Sequence, residues 1–164
     1  MIGGLPGTGK STVARAVGAQ LAVTVVAKDV VEASLRRSGI DADRSWRVAN
    51  ELLATIADDH LDQGRSVVLD AVFGDPDVRA QVREIAEGRG ARWRLVECTC
   101  SDLALHRSRI EGRVRGIAGW DELTWEDVEG TRSRYRTWTE ERLVLDALDP
   151  LDANVDRAVR YLTA

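Results

Sequence analysis

GLPGTGKST, residues Gly4 to Thr12, carries glycine, four free positions, then glycine, lysine and serine at Gly4, Gly9, Lys10 and Ser11. Each fixed position has a task. Glycines let backbone N–H groups converge on an anion, a lysine reaches the terminal phosphates of a nucleotide, and the next hydroxyl ligates the magnesium that travels with them. The helix that follows is expected from about Lys10 to Leu21, with Val13, Ala14, Val17 and Leu21 on its apolar face. Its N-terminus points at the same phosphates and adds its dipole. Gly4, Leu5, Pro6, Gly7, Thr8, Gly9, Lys10, Ser11 and Thr12 therefore read together as a nucleotide-binding loop. A glycine-rich turn that merely opens a helix is the plainer alternative, and four matched positions before an apolar-periodic helix weigh against it.

A strand must deliver the chain into this loop. In a parallel sheet that strand is central and takes about five residues, yet only Met1, Ile2 and Gly3 precede Gly4. The expectation is a stub or a chain that starts upstream of Met1. The second is favoured, because a shortened central strand leaves buried backbone groups unpaired.

Downstream, Val23 to Ala27 is a β-branched run that ends in Lys28 and Asp29. Residues 30 to 37 read as a helix broken at Gly39. Asp43 is placed to cap a longer helix to about Asp62, with Trp46, Ala49, Leu52, Leu53, Ile56 and Ala57 on one face. Ser66 to Phe73 is the clearest strand, with Asp70 near its end, and Gly74-Asp75-Pro76 turns into a helix carrying Val78, Val82, Ile85 and Ala86. Arg92 to Cys100 is the next strand, and Ser101 or Asp102 caps a helix holding Leu103, Leu105 and Ile110. A glycine-interrupted stretch, Gly112 to Gly119, precedes a helical segment from about Thr124 to Trp138. Leu143 to Asp146 is a last strand and Asn154 to Leu162 a closing helix. Alternating strands and helices with near-continuous apolar strands predict an α/β fold, a three-layer α/β/α sandwich around a five-stranded parallel sheet. In such sheets ligands lie beyond the carboxyl ends of the strands. The loop, Asp29 and Asp70 all map to that edge.

Composition agrees with one domain spanning residues 1–164: 44% of the residues are hydrophobic and 30% charged. The net charge of −4 argues against non-specific binding to nucleic acid or to an anionic membrane. No apolar run approaches a membrane span and the N-terminus has no leader layout, so a cytoplasmic protein is expected. Cys98 and Cys100 are the only cysteines and read as small hydrophobes of a strand, since two thiolates cannot complete a zinc site. Lysine occurs only at Lys10 and Lys28 in an arginine-rich chain. That hints at a need for a compact ammonium beside Asp29.

The loop, the apolar strand ending in Asp29, VVLDAVFGDPDVR (Val67 to Arg79) and SDLALHRSRIEGR (Ser101 to Arg113) together resemble P-loop kinases of small molecules. The pattern is similar to the chloramphenicol phosphotransferase-like and polynucleotide-kinase-like proteins, and more distantly to gluconate kinase and adenylate kinase. The resemblance spans nearly the whole chain. It implies a P-loop NTPase of the nucleoside-monophosphate-kinase-like kind, with a helical lid over about residues 109–124. It also implies ATP and Mg2+ as cofactors, and a small hydroxyl-bearing acceptor such as an antibiotic, sugar or nucleoside.

The same resemblance assigns roles. Asp29 falls where these kinases place the base for the acceptor hydroxyl, a position that also suits an acid capping the next helix. Asp70 resembles the acid ending the third strand, which works on magnesium through water, with Ser11, or on the acceptor, a cap or turn contact being its plainer reading. Arg79 matches an arginine that touches the acceptor, or is an exposed helix arginine. Arg109 and Arg113, four apart, are expected on one helix face around the nucleotide phosphates, with Arg115 a third candidate. Glu32 departs from the D-x-x-R pattern of polynucleotide kinases, which makes nucleic acid a poorer acceptor. It reads either as a holder of cationic or polyhydroxyl substrate or as a surface glutamate. Trp46, Trp120 and Trp125 lie in regions bordering the acceptor pocket, Trp46 having core as its plainer reading. Monomer and homodimer stay open. So do the alternatives of a polynucleotide or nucleotide-sugar kinase and of a nucleotide-binding switch that transfers nothing.

Overall fold

A computed structural model describes residues 1–114, 116–118 and 120–164; Arg115 and Gly119, both within the expected lid, lie outside the described residues. In chain order the elements are β1 (Ile2–Gly3), α1 (Lys10–Leu21), β2 (Thr24–Ala27), α2 (Lys28–Arg37), α3 (Ala42–Asp62), β3 (Val67–Asp70), α4 (Pro76–Gly88), β4 (Val96–Thr99), α5 (Leu103–Glu111), α6 (Trp125–Arg134), β5 (Leu143–Asp146) and α7 (Leu151–Thr163). The five strands form one sheet in the order β2-β3-β1-β4-β5, every neighbouring pair parallel. The strand feeding the glycine loop is thus central, and its two residues pair with Asp70 on one side and with Val96 and Glu97 on the other.

Helix starts follow local chemistry. Asp41, not Asp43, caps α3 by accepting the Arg44 N–H at 2.9 Å. Asp43 instead sits in the first turn, where a carboxylate meets the helix dipole. Asp75 caps α4 with Pro76 at its first position, and Asp102 caps α5 through the Leu105 N–H. Thr124 and Asp127 close a reciprocal capping box on α6. Between α5 and α6 the described residues form no regular element, so within the region expected as a helical lid only the end of α5, up to Glu111, is helical.

Two apolar clusters cover the two faces of the sheet. Ile2, Val17, Val96, Leu145 and Ala158 pack under α1 and α7, and Leu53, Leu69, Phe73, Val82 and Leu95 pack under α3 and α4. Strands run shorter than their apolar stretches. After Asp70 the chain leaves β3, and Phe73 turns at a φ of 52° to put its ring into the second cluster. α6 stops at Arg134, four residues short of Trp138, whose indole is buried in that cluster against Gly3. Hydrophobicity marks what is buried, and a buried residue beyond an element reads the same as one inside it.

Candidate active site

The carboxyl edge of the sheet collects the loop, Asp29 and Asp70. α1 starts directly from the loop with no capping side chain and no acid in its first turn. Among the described residues no backbone carbonyl takes the N–H groups of Gly9, Lys10 or Ser11. A helix N-terminus left open in this way is a ready anion site. The loop is held from both sides. Gly4 N–H donates to the Val72 carbonyl at 3.2 Å, and a Cβ on Gly4 would stand 2.1 Å from the Cys98 carbonyl oxygen, at a φ of 137°. Only glycine fits that passage between the ends of β3 and β4.

α5 clamps the other side, through a residue that sequence reasoning did not single out. His106 is 2% exposed, and its Nε2 donates to the Pro6 carbonyl at 2.7 Å across 100 positions of sequence. A carbonyl only accepts, so the hydrogen sits on Nε2 and Nδ1 is left to face Arg132 Nη2 at 3.5 Å. Trp125 stacks edge-on to the imidazole, centroids 5.2 Å apart. His106 and Ile110 also lie against Gly7, where a Cβ would come within 3.0 Å and 2.8 Å of them. Trp125 therefore supports the loop from behind.

Lys10, although buried, forms no ion pair among the described residues. It faces Asp70, which is 4% exposed and whose Oδ1 has no hydrogen-bond partner. Burial pushes the Asp70 carboxyl above its ordinary range, Asp29 adds to the rise, and Lys10, the Ser11 hydroxyl and Arg15 oppose it. A buried carboxylate oxygen without a partner, beside a serine hydroxyl, fits a magnesium ion held with phosphates. Such an ion takes most of its ligands from phosphate and water. This agrees with the finding that no group of three or more His, Cys, Asp or Glu among the described residues could hold a metal unaided.

Lys10 and Asp29 open onto a cavity of about 550 Å³ whose walls include Trp46, Phe73, Trp120 and Tyr135. Its floor along α2 is a ladder of alternating charge. Lys28 Nζ lies 2.5 Å from Glu32 Oε2, and Arg36 Nη2 lies 2.8 Å from Glu32 Oε1. The two cations also cap indoles, Lys28 at 5.4 Å from the Trp46 centroid and Arg36 at 4.5 Å from that of Trp120. Glu32, 2% exposed, is thus not a surface residue, and each of its oxygens already accepts from a cation of α2. Trp46 is 43% exposed at the cavity rather than in the core.

Other expectations move away from the cavity. Arg79 is buried, donating Nη1 to the Phe73 carbonyl at 2.8 Å and Nε to Glu140 at 3.0 Å. It staples the bend after β3 and is not among the residues that line the cavity. Arg109 donates to the Ala147 carbonyl at 3.1 Å, beside the end of β5. Arg113 lies beyond the Gly112 cap of α5, so the two arginines share no helix face. Tyr135, a cavity wall, is fixed by its hydroxyl donating to Glu97 Oε1 at 2.7 Å, while Arg142 holds the other oxygen at 2.5 Å. Burial, then Glu97, pushes that phenol well above its ordinary range. Burial also pushes the Cys98 thiol up to about 12, which leaves it an inert part of the core.

A family model described as AAA domain matches residues 1–136. The chain belongs to the AAA domain family. This AAA domain is 29% identical over 171 residues to an uncharacterized protein of Mycobacterium tuberculosis. The alignment takes in 96% of this chain, which spans about a third of the length of the curated relatives it matches, 33% of theirs. Among solved structures it is similar to the Kti12 protein of Chaetomium thermophilum in complex with ADP-AlF3, at 18% identity and a TM-score of 0.75, over 99% of this chain and 97% of that one. A gluconokinase of Sinorhizobium meliloti follows the same path at 17% identity and a TM-score of 0.73, over 98% and 89%. So does the APS kinase of Mycobacterium tuberculosis in complex with AMPPNP and APS, at 20% and 0.68, over 99% and 95%. At these identities the likeness is one of fold. It establishes the α/β fold of P-loop kinases, a coarser level than the chloramphenicol phosphotransferase-like proteins. Among the described residues no helix is long and apolar enough to cross a membrane.

Proposed function

We propose that this AAA domain is an ATP- and Mg2+-dependent phosphotransferase that moves the γ-phosphate to a hydroxyl of a small molecule. The observation that carries the reading is that Lys10 of the open-ended phosphate loop and Asp29 line one cavity roomy enough for a small acceptor. A pure nucleotide switch needs the loop but no acid at the end of β2.

In this reading the loop amides and Lys10 hold the β- and γ-phosphates and offset charge that spreads over the equatorial oxygens during transfer. The Ser11 hydroxyl and Asp70 would hold a magnesium ion, which would screen the charge of the phosphates. Asp29, in the first turn of α2, orients the acceptor hydroxyl and takes its proton as that oxygen bonds to phosphorus. Arg109 and Arg113 serve the nucleotide from the lid side, Arg109 from its place beside Ala147. The cavity walls exclude water, the competing acceptor.

The test is transfer from γ-labelled ATP to pooled hydroxyl compounds by the wild type and by Asp29→Asn. A loss of about 10²- to 10⁴-fold in transfer, with nucleotide affinity retained, is expected for removal of a general base. Equal transfer by both proteins would remove Asp29 from the chemistry.

A further inference from the structure

The acceptor end of the cavity has an electrical character opposite to that of the chain. The whole protein carries a net charge of −4, but the groups left uncommitted at this end are cationic donors. Along α2, Lys28 and Arg36 share the single carboxylate of Glu32, so the ladder keeps one positive charge in excess. Arg36 Nε is buried and has no hydrogen-bond partner, a costly state unless something that accepts arrives there. Arg134 and Arg136 line the same cavity, neither with an acidic partner within 4 Å among the described residues. Arg134 closes α6, where a cation also complements the helix dipole. Arg136 lies outside that helix, and the dipole does not account for it. Its backbone N–H is tied to the Gly74 carbonyl at 3.0 Å, which fixes the root of its side chain to the cavity wall.

Two carboxylates on the lining oppose these charges. Asp75 is engaged in capping α4, and Asp29 sits by the phosphates. The neutral polar groups on the lining are engaged too: Asn50 donates its amide nitrogen to the Trp46 carbonyl at 3.1 Å, the Thr131 hydroxyl donates to the Asp127 carbonyl and the Tyr135 hydroxyl to Glu97. Three guanidinium groups lining one half-enclosed cavity favour an oxyanion over a neutral polar group, because hydrogen bonds to a charged acceptor are the stronger ones. Trp46, Phe73 and Tyr135 supply flat apolar walls for a carbon skeleton.

Resting on the phosphotransferase reading, we propose that the acceptor is an alcohol that also bears an oxyanion, a carboxylate or phosphate group. Its hydroxyl lies at Asp29 and its anionic group at Arg134, Arg136 and the part of the Arg36 guanidinium that stays exposed. Glu32, which by sequence alone argues against anionic acceptors, works the other way: neutralised on both oxygens, it holds Lys28 and Arg36 at the floor. The chain's net negative charge sets its long-range field, while recognition depends on the groups within a few ångströms.

The experiment uses matched acceptors that differ only in the anionic group: a sugar with its aldonic acid and its phosphate, and a nucleoside with its monophosphate. Transfer from γ-labelled ATP is measured for the wild type and for the double variant Arg134→Gln/Arg136→Gln. Both positions are exposed, so the fold tolerates the change, which a thermal melt verifies. Binding of the same compounds is followed in parallel with the protein saturated by a non-hydrolysable ATP analogue. The expected result is a preference of about tenfold or more in kcat/KM for the anionic members, shrinking to within about threefold of parity in the double variant and weakening with salt. The carboxylate and phosphate arms show which oxyanion is preferred. Transfer without such a preference would overturn this inference and leave the phosphotransferase standing. Anion-selective binding that needs the two arginines, without transfer to any compound, would support the inference and sink the phosphotransferase. Neither transfer nor selective binding would overturn both.

Discussion

The phosphate loop and the proposed acceptor end of the cavity share one edge of the sheet but are made of different materials. The loop is nine consecutive residues, Gly4 to Thr12, and its business groups are backbone N–H donors placed by a helix start and one lysine. The acceptor end is built from side chains brought from α2, α3, the bend after β3 and the end of α6. Backbone donors recognise any phosphate, because every residue of the loop except Pro6 supplies the same N–H group. Side chains from separate elements can be exchanged singly, so an acceptor site can change while the fold and the nucleotide site stay put.

Lys10→Ala should break the comparison hardest at the loop end. A loss of at least about 100-fold in transfer is expected, with acceptor binding in the presence of nucleotide reduced far less. Comparable loss of acceptor binding would show the two ends to be one coupled unit.

His106 sharpens the comparison, since the loop is not wholly self-built. His106→Leu keeps the volume but removes the donor to the Pro6 carbonyl, and the KM for ATP should rise about fivefold with a smaller change in kcat. His106→Gln, which returns an N–H near the position of Nε2, should recover most of it. A melting change without a KM change would make His106 an ordinary core residue.

The smallest effect concerns stability. The folded Asp70 carboxyl is raised above its unfolded value, so its contribution to stability is complete at low pH and lost as pH rises through that raised value. Asp70→Asn should therefore stabilise the nucleotide-free protein at neutral pH by about 1 kcal/mol, a rise of roughly 2–4 °C in Tm. The gap should close as pH falls and the wild-type carboxyl becomes neutral too. A variant less stable than wild type at neutral pH would show that the charge is welcome even without magnesium.

Much of this was legible in the chain. α1 and β2 lie where the apolar period and the β-branched run place them, β5 spans the expected Leu143 to Asp146, and the strand before the loop is central. Asp29 and Asp70 stand at the ends of β2 and β3 because an acid after a buried strand has one direction in which to leave the sheet. The misreadings share a cause. Arg79 and Glu32 are charged residues on helices, for which solvent or ligand is the default expectation, yet each meets partners that bury it. Trp46 has the spacing of a core residue, but α3 turns that position to the cavity. Nothing near His106 in sequence signals Pro6, 100 positions away.

Taken alone, the sequence determines the nucleotide loop, the parallel sheet and the acids at its edge, because these depend on local spacing, glycine geometry and hydrophobic period. Tertiary structure alone decides which charges are spent on each other and which remain for a ligand. Whether Glu32 repels an anion or gathers cations for one depends on Lys28, Arg36, Trp46 and Trp120 converging in space. Electrostatic interactions fall off over a few ångströms of real distance, and sequence separation does not measure that distance.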